Sequence, residues 1–596
     1  MPHFLATLAV VAGIAALLGP TPASPPAPSP SHEILAMLDP GLPGRLACGQ
    51  RGGGRSLDRH LRLAAAYAST EPGAATATLP LYRDIAASQL APPQLAGAAR
   101  SYFDQGLMLT YGFNHAGAIR SFREARRLAP DCALCGWGVA LAIGPNINAA
   151  MDQRRNAEAL AELAAAQRSA AAATPEAGAL IDALALRYSA DPKADRFALD
   201  GAYADAMIGA ARRFPGNDDI ALLAAEAAMD TSPWNYWDAS RRSPNSRVAE
   251  AVALVEAVLA RRPKHPQAAH LYIHLMENYA EPGRAERAAD LLTGSAPGAL
   301  GHLVHMPGHI YYRVGRYADS IRANVAAARA DERYLALVGD DGTYRYGYYP
   351  HNVHFLLTSA QMAGDLRTTL REAARLRTIL GVETAKDLAW VQAIHAAPAF
   401  AVAQFGTPAQ VLAQTSARSE LPYVAAMNHY ARAVARARQG KPAEFARELA
   451  AMTGLRDAPG VKAMAEQGVP AGEIVDLAAH VARGRMAYAT RHYGAAAEHY
   501  RRAIAIEAAL PYNEPPYWYY PVSQSLGAAL YRGGRYEEAA TAFRAALFQA
   551  PNNGWALWGL AQTERKLGHK LEAAAAEAAL RRSWLGNRNW LRMERL

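Results

Sequence analysis

Cysteine is scarce in this chain: its 596 residues hold three, Cys48, Cys132 and Cys135. That scarcity argues against an iron–sulfur cluster. Cys132 and Cys135 form C-x-x-C, but no histidine follows, so the haem-attachment pattern is missing. A local disulfide, two half-buried thiols, and a redox or metal role all stay open for the pair. Basic runs are absent as well. Lys plus Arg exceed Asp plus Glu by 9, yet the positive charges are scattered as arginine pairs without interleaved aromatics. This reads as a solvated helix surface and not as a nucleic-acid footprint. No period-two strand pattern stands out, which leaves no sheet to expect. No Ser-His-Asp order, phosphate loop or nucleotide fingerprint is present. Long apolar runs are limited to one, Phe4 to Leu18, short of the roughly 20 residues that a membrane span needs.

What is there is alanine and apolar residues, 51% hydrophobic in all, a composition that fits a folded helical protein and not a disordered one. The apolar run near the N-terminus is followed by small residues and PASPPAPSPS. Residues 1–23 therefore read as a secretory signal, although Lys and Arg are missing before the run. The expectation is export to a periplasm or the medium, with no stable membrane insertion. Residues 24–98 are expected to form a Pro-rich linker and a helical N-terminal cap.

One frame recurs downstream. In YPVSQSLGAALYRGGRYEEAATAFRAALFQAPNN, residues 520–553, Gly527 lies where one helix crosses its neighbour. Gly534 opens a turn, Tyr536, Ala539, Phe543 and Ala546 follow at helical spacing, and Pro551 closes the unit. Small residues let two helices approach, large ones fill the gap, and Gly and Pro punctuate. The same frame appears at 99–132, 301–334, 350–383 and 477–510, and more weakly from Ala269 and Gly554. It closely resembles the ~34-residue tetratricopeptide repeat, and the chain is similar to exported bacterial proteins of that kind. The expected fold is an all-α solenoid of antiparallel helix pairs, with one body over 99–459 and C-terminal repeats over 473–596. A break is expected near 460–472. The resemblance implies that positions 2, 5, 9, 12 and 13 of each first helix face a concave groove.

Eight of the 18 histidines fall within residues 265–354. Numbered so that Gly315 is position 15, GHLVHMPGHIYYRVGRY puts His302, His305 and His309 at positions 2, 5 and 9. These lie within an arc of about 60° on a helix. In the next repeat His351 and His354 take positions 2 and 5. In the preceding one His270 takes position 2, with His274 and Glu277 on the same face. Facing helices lie roughly 8–10 Å apart, so imidazoles from three repeats can meet. A hydrated polar groove, a pH-sensitive or anion-binding groove and a metal site are the three readings. Seven histidines in register favour the metal, since imidazole is the commonest metal ligand.

The expected ligands are His270, His274, His302, His305, His309, His351 and His354. His270/His274 and His305/His309 are H-x-x-x-H pairs, but neither is H-E-x-x-H. Seven exceed one tetrahedral site, so one or two transition-metal ions are expected, with copper favoured and zinc or iron also suited to imidazole. The ligand type resembles the dicopper centres of tyrosinase-like proteins, while the fold does not. Glu277 is a candidate for proton transfer, and Tyr312 and Arg313 for holding a substrate. Pro307 is expected to be tolerated or to kink its helix. The Tyr/Gly-rich segment 340–352 and DTSPWNYW at 230–237 read either as loops or as covers over the groove. His265 is expected in an interhelical loop, and Asn146 and Asn148 in a turn. The function expected is a metal-dependent oxidoreductase or hydrolase acting on a small molecule or peptide in the groove. The alternatives are a scaffold for a protein partner and a metal carrier.

Overall fold

The computed structural model describes residues 79–169, 174–338, 344–386 and 388–596. The signal segment, the Pro-rich stretch and Cys48 lie outside them. Among the described residues there is no strand, only the isolated bridges Asn146–Ala149 and Trp237–Pro244. The architecture is an α-solenoid of tetratricopeptide type, in which successive helices pack against their sequence neighbours. The helices that carry the histidines, and those that show the repeat packing most plainly, are α1 (Gly97–Tyr111), α2 (His115–Leu128), α3 (Asp218–Asp230), α4 (Pro266–Glu277), α5 (Gly301–His305), α6 (Pro307–Arg313), α7 (Tyr317–Val338), α8 (Tyr349–Ala363), α9 (Val522–Arg532), α10 (Tyr536–Gln549) and α11 (Gly554–Leu567).

The frame read from the sequence is the packing rule of the array. A Cβ on Gly106 of α1 would stand 2.8 Å from the Phe122 ring of α2, and one on Gly138 would stand 2.6 Å from the same ring. Gly527 and Gly559 clasp Phe543 of α10 in the same way, and Gly484 lies against Tyr500. Phe122 and Phe543 each fill the space that two glycines leave, at the close approach that interior packing density demands.

One expectation needs correction, and another falls mostly outside the described residues. Of the stretch 24–98 expected to form a linker and N-terminal cap, residues 79–96 are described and irregular. They lie along α1 and α3, with Tyr82 N–H donating to Gln105 Oε1 (2.8 Å) and Gln89 N–H to Asp219 Oδ2 (2.7 Å). Backbone satisfied by side chains in this way needs no helix. The stretch expected to break the array contains a helix, Pro459–Glu466, whose Val461 and Met464 are buried in the same core as the repeats on either side.

The array also folds back on itself. Gly315, at φ +76°, has no room for a Cβ against the Pro551 carbonyl, and Gly364, at φ +75°, none against Trp584. These two turns dock the central repeats onto the C-terminal ones. That docking carries the linker 510–521 against α4, α6 and α8, where Tyr512 donates to the Glu277 carbonyl at 3.1 Å, Glu514 meets His309 and Tyr519 meets His354.

Candidate metal centre

His265 caps α4, its Nδ1 accepting from Ala268 N–H at 3.4 Å, and Pro266 occupies the first turn. Capping and the preset proline φ start the helix here, which puts His270 and His274 on one face. The next first helix is divided at Met306 into α5 and α6, with Pro307 opening α6. His302 and His305 therefore come from α5 and His309 from α6. Helix α8 adds His351 and His354.

The structure brings six of the seven expected histidines together in two groups. The first is His270, His274 and His302, and the second is His305, His309 and His351. In each, one ligand atom per residue lies within 4.8 Å of the others. His270 and His302 approach through Nε2 at 3.1 Å, and His305 and His309 through Nε2 at 2.7 Å. His354 is set apart, with its Nε2 2.9 Å from the Tyr519 hydroxyl. The helices step past one another by a turn. Helix α4 serves the first group, α5 and α6 divide between both, and α8 gives His351 to the second while His354 runs beyond it to the linker.

Hydrogen bonds on the far side of the rings fix their tautomers. Gln267 donates through Nε2 to Glu226 (3.1 Å), which turns its Oε1 to His270 Nδ1 at 2.9 Å. His274 Nδ1 is 2.7 Å from Glu277 Oε1. Asn324 donates through Nδ2 to the Ser320 carbonyl (2.8 Å), which turns its Oδ1 to His305 Nδ1 at 2.6 Å. His309 Nδ1 faces both Glu277 Oε2 (2.5 Å) and Glu514 Oε2 (2.9 Å). The oxygens of Gln267 and Asn324 accept an Nδ1–H, so the Nε2 atoms of His270 and His305 carry lone pairs. That of His270 points at His302, and that of His305 points at the Nε2 of His309. His309, held charged by Glu277 and Glu514, donates through both nitrogens. The buried Nε2 of His274 has no hydrogen-bond partner.

Most of this is enclosed, with His351 half-buried. His270 and His305 are wholly buried, and His302, His309 and His274 are at most 2% exposed. The open concave groove expected from the sequence is thus largely covered, by the linker and two aromatic insertions. Trp234 of the 230–237 segment sets its edge on His274, and Tyr348 packs on His302. Phe113 touches the rings of His270, His274 and His302. Phe113 and Trp234 both adopt left-handed backbone, at φ 55° and 62°, a costly conformation for bulky residues that clusters at functional sites. Phe355 covers the second group.

Burial, reinforced by the neighbouring imidazoles, pushes the pKa values of His270, His274, His302, His305 and His351 far below the ordinary range. They are neutral near pH 7, the form that ligates metal. Burial also works against a charged His309, but Glu277 and Glu514 outweigh it and hold its pKa up at about 10. Burial raises both carboxyls above their usual range.

Glu277 stands behind the rings and not among the Nε2 atoms. Arg313 donates through Nε to the Glu277 carbonyl at 2.9 Å and lies 3.6 Å from Glu514 Oε1. Tyr312 is buried against Phe355 and Tyr317, away from both groups. Asn146 shapes a turn, its Oδ1 accepting from Asn148 and Ala149 N–H. Cys132 and Cys135 are joined as a local disulfide. Sequence reasoning missed Phe113, Asn324, Tyr512 and Glu514. The last two sit in PYNEPPYWYYP, a Tyr/Pro-rich interruption of the repeat frame.

No family model and no curated protein matches the chain. Solved structures with helical repeats do. The human IFIT1 dimer with m7Gppp-AAAA is 12% identical, covering 90% of this chain and 98% of its own, at a TM-score of 0.28. Yeast Tom70 is 11% identical over 81% and 96%, at 0.25. The P58(IPK) TPR domain is 12% identical over 79% and 99%, at 0.20. At such scores none of them bears on what this site does.

Proposed function

We propose that the protein holds two transition-metal ions, one in each trihistidine group, and uses them on a small molecule. The observation that carries this is the convergence, within 4.8 Å in each group, of one nitrogen from each of three imidazoles, among them the buried Nε2 of His274, which has no hydrogen-bond partner. Carboxylate or amide acceptors behind ligating histidines are the usual means of fixing tautomer and basicity.

Copper is the favoured ion. Three imidazoles per site suit copper, zinc, iron or nickel, and copper binds such donors most tightly among the divalent ions. Aromatic walls exclude water, which strengthens charge interactions inside. Three ligands leave a coordination position for a reactant. The cover over the histidines favours a small molecule over a peptide. The N-terminal apolar run supports export, where the metal would be acquired.

The reading is tested by metal analysis of protein isolated from its native compartment, together with thermal melting before and after chelation. Bound metal should raise the melting temperature as mass action requires. Protein that carries no metal, and whose melting is indifferent to copper, zinc and iron, would leave a protein-binding scaffold as the better account.

A further inference from the structure

The two trihistidine groups share one buried carboxylate. Glu277 is wholly buried at the end of α4. Its Oε1 takes the Nδ1–H of His274, from the first group, and its Oε2 stands 2.5 Å from the Nδ1 of His309, from the second, as an ion-pair contact, while the hydrogen bond of that Nδ1 runs to Glu514. The rings of His274 and His309 lie 5.9 Å apart between centroids. We infer that Glu277 is a positioning residue that couples the two sites, so that an ion bound in one group raises the affinity of the other. This rests on the proposed metal sites and goes further, since two trihistidine sites could equally bind their ions independently.

The coupling runs through ring orientation. An ion on His274 Nε2 fixes that ring and strengthens its Nδ1–H as a donor. The bond fixes the rotamer of Glu277, which then holds His309 with Nε2 toward the second group. The reverse holds by thermodynamic reciprocity, and such couplings are typically about 5- to 150-fold. The supports of the two groups are otherwise separate. Gln267 serves only His270, and Asn324 serves only His305. The groups also differ in reserve. His309 has its hydrogen-bond acceptor in Glu514, 2.9 Å away and supplied by the linker 510–521, beside the ion-pair contact to Glu277. His274 has Glu277 alone. Glu514 is itself held by Tyr512 and lies near Arg313, so the second group keeps an oriented His309 if Glu277 is removed.

The test is Zn²⁺ titration of the full chain by equilibrium dialysis against a competing chelator. Wild type should take two ions with a Hill coefficient above one. Glu277→Ala should lose the first ion by roughly 10- to 100-fold in affinity, keep the second, and bind without cooperativity. Glu277→Gln, whose oxygen can still serve His274 and whose amide can face Glu514, should keep both ions, which controls for misfolding. His351→Ala removes a ligand of the second group only. It should weaken the first ion roughly fivefold or more in wild type, and leave it unchanged in the Glu277→Ala background.

Two ions taken up independently, or a His351→Ala change confined to its own group in both backgrounds, would overturn the coupling while leaving the metal reading intact. A wild-type chain that takes up no Zn²⁺, and no Cu²⁺ on repeating the titration, would overturn both.

Discussion

Helices α9–α11 and the stretch from α4 to α8 are built on one frame and fill it with different chemistry. In the C-terminal repeats Gly527 faces Phe543, sixteen residues on. In the central repeat Gly308 faces Asn324, again sixteen residues on, and Gly301 faces Asp331. Where one region has a ring in an apolar gap, the other has an amide that accepts from His305 and a carboxylate that accepts from Asn352 Nδ2 at 2.6 Å. The turn position is kept between these two, with Gly534 seven residues after Gly527 and Gly315 seven after Gly308, both at φ +76°, while in the α1–α2 repeat Phe113 stands seven after Gly106 at φ 55°. The repeat supplies rigid helix pairs either way. Chemistry enters where an aromatic or a glycine of the frame has been replaced, which is how a site is grafted onto a common fold.

The comparison can be broken most forcefully on its apolar side. Phe543→Ala, emptying the slot between Gly527 and Gly559, should cost about 3–5 kcal/mol, read by chemical denaturation of the C-terminal repeats. Its metal content should not change, because repeat stability is largely a nearest-neighbour property.

Asn324→Phe imposes the ordinary frame on the central repeat. His305 then loses the acceptor that fixes its tautomer, and metal affinity at the second group should fall by roughly 10- to 100-fold, measured by competitive chelation. An unchanged affinity would mean that Asn324 is only a packing choice.

Gly534→Ala probes the turn alone, since no heavy atom stands within 4 Å of the position its Cβ would take. The strain of a left-handed alanine should cost about 1–2 kcal/mol, seen as a lowered melting temperature. That is the order of strain Phe113 bears in reaching the three imidazoles.

A further effect concerns pH. Burial raises the Asp331 pKa to about 7 from an ordinary 3.8. Between those values the unfolded chain gives up a proton that the folded chain retains. This group's contribution to stability is therefore complete at low pH, declines as pH climbs from about 4 to 7, and is level above. Asp331→Asn should remove that decline, so the melting temperatures of variant and wild type should diverge most near pH 7 and converge near pH 4.

The fold was legible because its rule is local. Gly106, Phe122, Gly527 and Phe543 recur at fixed spacing and pack where that spacing puts them. Six histidines were legible for the same reason, since helical register is arithmetic. His354 has the same register, yet it meets Tyr519 because the linker, and not another histidine helix, lies beyond α8. Glu514 could not be read from position: it reaches His309 across 205 residues, and only the fold-back of the array at Gly315 and Gly364 brings it there. Enclosure was hidden for the same cause, because the cover comes from insertions outside the repeat frame. The replacement of an aromatic by Asn324 went unread, although it stands in the frame itself and marks this repeat as specialised.

The most direct test of the central claim is anomalous diffraction from crystals of the full chain grown with copper, recorded on both sides of the copper absorption edge. The account predicts two peaks, one among His270, His274 and His302 and one among His305, His309 and His351, each at about 2.0–2.1 Å from histidine nitrogens, the distance known for zinc–imidazole bonds. Density confined to surface histidines, with none at either group, would contradict it.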